Sequence, residues 1–112
     1  IRVVVGGDYG FSITPMGQNA RDIGHFVNYF GYTPAEALRC ATSIGGALMG
    51  HAGELGIIKE GALADMLLVD GNPLADQSML VGPDRFAMIM KNGSLFRDPR
   101  KASPQAKQVA AE

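Results

Sequence analysis

The chain has 112 residues, 46% apolar and 19% charged, which excludes an intrinsically disordered protein and allows one small globular unit. Ten basic and eleven acidic residues leave a formal net charge of -1, which argues against a sequence-independent nucleic-acid grip built on excess positive charge. One cysteine, Cys40, rules out an internal disulfide framework and fits a reducing, cytoplasmic compartment, and no apolar stretch reaches the roughly 18 residues of a membrane span.

In chain order, Arg2-Val3-Val4-Val5 comes first. This β-branched run reads as a buried parallel strand. Gly6-Gly7-Asp8-Tyr9-Gly10-Phe11 follows directly, and paired glycines mark a sharp turn or a close backbone approach. A loop through Gln18 leads to a helix with Asn19 as its expected N-cap and Asp22 as the capping-box partner. Ile23, Phe26, Val27 and Phe30 form its apolar face, and Gly31 is its stop. Thr33-Pro34-Ala35-Glu36 opens a second helix with a cap, a proline at the first position and a boxed glutamate. Ala37, Leu38 and Ala41 give that helix a small-residue face. A third, short helix is expected from Ile44 to Met49, weakened by Gly45 and Gly46 at roughly 1 kcal/mol each and ending at Gly50.

From Leu55 the texture changes to short strands and turns. Gly56-Ile57-Ile58 precedes a Lys59-Glu60-Gly61 turn, and Ala64 to Val69 reads as an apolar strand closed by Asp70-Gly71-Asn72-Pro73. Phe86 to Met90 is a further strand, and Asn92-Gly93 forms the centre of a two-residue hairpin into Leu95-Phe96. The stretch 98–112 lacks apolar periodicity and reads as a mobile tail. Because the chain opens inside a strand-like run and at Ile1, a piece of a larger protein is the expectation.

An acid at the C-terminal end of a buried strand is where α/β enzymes place chemistry, which singles out Asp8. The bland alternative is a turn aspartate that stabilises its own loop. Tyr9 and Phe11 flank it, either packing on an apolar substrate group or anchoring the loop. His25 lies off the apolar face of its helix and reads as solvated or facing a neighbouring element, and His51, in a Gly-rich loop, reads as a surface residue. Cys40 reads as a small buried hydrophobe. Asp65, inside an apolar strand, is expected to bond a turn or backbone group. Met88-Ile89-Met90 reads as core or interface.

The order of these motifs is recognisable. A strand ending in Gly6-Gly7-Asp8 and the helix start Gly31-Tyr32-Thr33-Pro34-Ala35-Glu36-Ala37-Leu38 with Ala41-Thr42 come first. Glu54-Leu55-Gly56-Ile57-Ile58, the run Gly61 to Asp70, Asn72-Pro73-Leu74 and Lys91-Asn92-Gly93 follow. Over residues 1 to 97 the chain resembles the C-terminal quarter of a metal-dependent amidohydrolase of the imidazolonepropionase-like and Xaa-Pro dipeptidase or carboxypeptidase-like branch.

That resemblance implies an α/β fold, with residues 1–54 as the last βα unit of a TIM (β/α)8 barrel. Residues 55–97 would be the C-terminal strands of a small composite β-sandwich, and 98–112 the tail. It implies that Asp8 is the terminal barrel aspartate, which contacts a catalytic divalent metal, zinc by expectation, and shuttles a proton to the leaving group. Tyr9 and Phe11 become substrate-contact candidates. The resemblance also implies ligands this chain lacks. His25 and His51 are its only histidines and form no His-x-His pair, so no metal is expected on these residues alone. The expected partners are the remainder of the barrel or another copy of the chain, with a small amide or peptide-like substrate. The alternative is a non-catalytic β/α module that self-associates or docks on a partner.

Overall fold

In the computed structural model of this chain, which describes residues 1–98, three helices lead into a three-stranded sheet. The expected tail beyond Asp98 lies outside the described residues.

Helix α1 spans Arg21–Phe30 and buries Ile23, with Phe26 and Val27 half-buried beside it. Its N-cap is Ala20, without a side-chain bond, rather than the expected Asn19. The reason is local. Backbone carbonyls of the preceding turn take the first amides: Arg21 N–H donates to Gln18 O, Asp22 N–H to Asn19 O and Ile23 N–H to Ala20 O, at 2.9 to 3.3 Å. These three amides are already satisfied, so an asparagine side chain at Asn19 has none of them to serve. At the other end Gly31 takes the left-handed conformation (φ 73°) and returns its N–H to Phe26 O. The Phe26 ring meets Tyr32 edge-on at 5.0 Å and Phe30 at 5.6 Å.

Helix α2, Pro34–Ala41, is capped as expected. Glu36 N–H donates to Thr33 Oγ1 at 3.3 Å, while Glu36 Oε2 accepts the Thr33 N–H at 2.9 Å and its hydroxyl at 2.7 Å. Ala37 and Cys40 are its buried residues. Helix α3, Ser43–Leu48, is a six-residue turn held by tertiary contact. Gly46 is buried because a Cβ there would collide with the Leu55 carbonyl oxygen, and a Cβ on Gly56 would collide with the Thr42 carbonyl. These two glycines let the chain at 55–56 lie directly on the α2–α3 junction.

Strands β1 (Met66–Val69), β2 (Phe86–Lys91) and β3 (Ser94–Arg97) form an antiparallel sheet in the order β1-β2-β3. Met66 stands opposite Met90 and Leu68 opposite Met88, and a bulge before Val69 brings it opposite Phe86. Val69 and Phe86 are the sheet's contribution to the core, which centres on Ile23, Ala37 and Leu80. Leu80 comes from a 3-10 turn, Gln77–Leu80, that packs on α1. This turn has no apolar period and was not expected.

Two expected strands are absent among the described residues. Arg2 to Val5 pairs with no strand, because a strand is defined by its neighbours and nothing in residues 1–98 lies beside it as one. Its apolar side is still used: Val5 packs on the core, and Val4 and Val5 line a cleft with Cys40, Ala41 and Leu48. Gly56 and Ile57 form bends and Ile58 is irregular and 94% exposed. No barrel strand pair is therefore seen. No helix among the described residues is long and apolar enough to cross a membrane.

Candidate active-site loop

The residues from Gly6 to Thr14 form a loop closed on itself. Gly10 N–H donates to Thr14 O at 2.8 Å and Thr14 N–H to Phe11 O at 3.1 Å, so Phe11 and Thr14 face each other across a tight turn. Gly10 has φ 123°, a backbone state that disfavours any side chain. The Thr14 hydroxyl then reaches back and donates to the Asp8 carbonyl oxygen at 2.8 Å.

Asp8 is exposed, and among the described residues no group bonds its carboxylate. Its main chain is held, while its side chain is left to reach outward. Phe11 is 62% exposed on the same loop. Tyr9 is the inward-turned member. Its hydroxyl donates to Oδ1 of Asp22, in the first turn of α1, at 2.8 Å. A Cβ on Gly7 would collide with the Tyr9 ring and stand 2.8 Å from Asp22 Oδ2, so the glycine at that position is what admits the contact. Gly6 has open space around it. Partial desolvation, and after it the bond to Asp22, raise the Tyr9 pKa above the ordinary tyrosine value.

Asp22 is also approached by His25, whose Nδ1 lies 3.8 Å from Oδ1 and whose ring meets Tyr29 at 5.6 Å. The Asp22 side chain is only 16% exposed. The structure thus brings Tyr9, Asp22 and His25 together beneath the loop that carries Asp8. Asp22 and Thr14 are the functional candidates that sequence reasoning missed. An acid in the first turn of a helix reads as a cap partner, and no periodicity links it to a tyrosine thirteen residues earlier.

The other singled-out residues lie apart from this loop. His51 pairs with Glu54 at 3.1 Å in the exposed turn after α3. Cys40 is a buried free thiol, 2% exposed. Asp65 accepts the backbone N–H of Asn92, the kind of bond expected of it.

Among the described residues no three His, Cys, Asp or Glu side chains come together as a cation site. Asp8 offers one carboxylate, whereas a hydrolytic zinc takes about three protein ligands and an open position. These residues by themselves do not fit a catalytic metal.

No family model matches the chain. It is 32% identical to the ochratoxinase of Aspergillus niger over 91 residues, which is 80% of this chain and 19% of that protein. It is 37% identical to the imidazolonepropionase of Rubrobacter xylanophilus over 66 residues, 59% of this chain and 16% of that one. Among solved structures, a Bifidobacterium longum protein provisionally described as a prolidase superposes on 99% of this chain, with a TM-score of 0.79 and 28% identity. The chain covers 27% of that structure. The chain matches one portion of each of these relatives. It spans about a fifth of the length of the curated relatives it matches.

Proposed function

We propose that the chain is the C-terminal part of a hydrolase that cleaves C–N bonds in amide or peptide-like substrates. The proposal rests chiefly on one observation: hydrolase relatives match both halves of the chain, the loop-and-helix half and the sheet half, in a single alignment. Asp8, whose carbonyl accepts the Thr14 hydroxyl and whose side chain is exposed, acts as the proton carrier. It accepts a proton from the attacking water and delivers it to the departing nitrogen, work suited to a carboxylate within hydrogen-bond reach of both. Phe11, exposed beside it, lies against an apolar substrate group. Tyr9 commits its hydroxyl to Asp22, which supports the loop-anchoring alternative for that residue.

The proposal includes a divalent metal, zinc by resemblance, which when bound activates water or polarises a carbonyl. Ligands beyond Asp8 would come from other parts of the whole protein. Hydrolysis of Xaa-Pro dipeptides and N-acyl amino acids by the whole protein, read as released amine, tests the reading. Release from one class supports it, and no release from either class refutes it.

A second reading keeps the fold without the chemistry, as a module that docks on a partner or on its own copy. It is favoured by an open groove of about 680 Å³ lined by Ile57, Ile58, Leu67, Ile89 and Met90.

A further inference from the structure

We infer that Asp22 is a positioning residue for Asp8, acting through the hydroxyl of Tyr9. The inference rests on the catalytic reading of Asp8 given above. Two bonds hold the C-terminal side of the Asp8 backbone. On its own carbonyl the Thr14 hydroxyl donates at 2.8 Å, and on the next residue the Tyr9 hydroxyl is held on Asp22 at 2.8 Å. With its carbonyl bonded and the following ring held, the C-terminal side of Asp8 is restrained, which narrows the directions its Cα–Cβ bond can take. Asp22 suits this work because its own position is rigid. It sits in the first turn of α1, its side chain is mostly buried, and the adjacent Ile23 is a core residue. Gly7 completes the device, since any larger residue would push the Tyr9 ring off the acid.

A proton carrier has to stand within hydrogen-bond reach of two atoms in turn, so a displacement of about 1 Å can cost on the order of 100-fold in rate. Loss of the bond should therefore appear in turnover rather than in substrate affinity.

The test compares Tyr9→Phe, Asp22→Ala, the double variant and Asp22→Asn in the whole protein. Hydrolysis of the Xaa-Pro dipeptide or N-acyl amino acid that it cleaves is followed together with amide exchange at Gly10 and Thr14. The expected result is a kcat about 10- to 100-fold lower in Tyr9→Phe and in Asp22→Ala, with KM within about twofold. The double variant should be no worse than either single one. Asp22→Asn, which keeps an acceptor oxygen, should restore most of the rate. Exchange at Gly10 and Thr14 should quicken in the first three variants and not in Asp22→Asn.

A raised KM in Tyr9→Phe with Asp22→Ala unaffected would make Tyr9 a substrate contact and overturn the inference. So would additive losses in the double variant, or unchanged loop exchange. If Asp8→Asn is fully active, the catalytic reading fails, while the exchange data still report separately on whether Asp22 holds the loop.

Discussion

Asp65 Oδ1 accepts the backbone N–H of Asn92 at 2.7 Å, joining residues 27 positions apart. Gly93 N–H donates to Ala64 O at 3.1 Å beside it, so the entry to β1 is stapled to the β2–β3 turn. Asp65→Ala should therefore destabilise the sheet by about 1 kcal/mol, the usual net value of such a bond. Asp65→Asn, which keeps the acceptor, should lose less. Amide exchange at Asn92 and Gly93 is the measurement, with faster exchange expected in Asp65→Ala alone.

This hairpin was legible because its information is local. Asn92 (φ 47°) and Gly93 (φ 77°) adopt the left-handed pair that an Asn-Gly dipeptide favours. The Thr33–Glu36 box was legible for the same reason: four consecutive positions hold the whole motif. Asp8 could be picked out by its place after a β-branched run, yet the run itself is unpaired here, because a strand depends on neighbours that local sequence does not name. Asp22 and Thr14 were not legible at all. Their partners are set by how the loop folds over α1, and a carboxylate in a first helical turn has a simpler local use.

Two glycines separate steric need from backbone need. Gly56 (φ 73°) combines a left-handed backbone with a carbonyl where its Cβ would be, whereas Gly61 (φ 80°) has nothing within 4 Å. Gly61→Ala should cost about 1 kcal/mol from strain alone. Gly56→Ala should cost clearly more and loosen the α2–α3 junction. Thermal melts of the two variants, run side by side, make the comparison.

Acid should weaken the chain at two caps, that of α2 and that of the 3-10 turn. The Thr33 hydroxyl and backbone bonds hold the Glu36 pKa below its ordinary 4.5, and the Ser78 contacts hold Asp76 below 3.8. A carboxylate with a lowered folded pKa contributes stability above its unfolded value, and that stability is lost as pH falls through the folded one. Stability should fall below about pH 4.5, less steeply in Glu36→Gln. Tyr9 has the opposite sign. Its pKa is raised from 10.0, so its bond to Asp22 is kept below that pH and lost as pH rises through the folded value. Urea midpoints across pH 3 to 11 would record both edges.

The sheet leaves apolar surface uncovered. Leu67 and Leu68 are each 52% exposed and Ile58 94%. Residues 1–112 produced alone should therefore sediment as more than one chain, and Leu68→Lys should shift the population toward the monomer. A monomeric wild-type chain would remove the reason for expecting a covering partner.

The most direct measurement is the turnover of Asp8→Asn in the whole protein, on the Xaa-Pro dipeptide or N-acyl amino acid that the wild type cleaves. Asparagine keeps the shape of the side chain but cannot take the proton. The prediction is a fall in kcat of about 100- to 10,000-fold with melting temperature and loop amide exchange unchanged. Turnover at the wild-type level would contradict the assignment of Asp8 as the proton carrier.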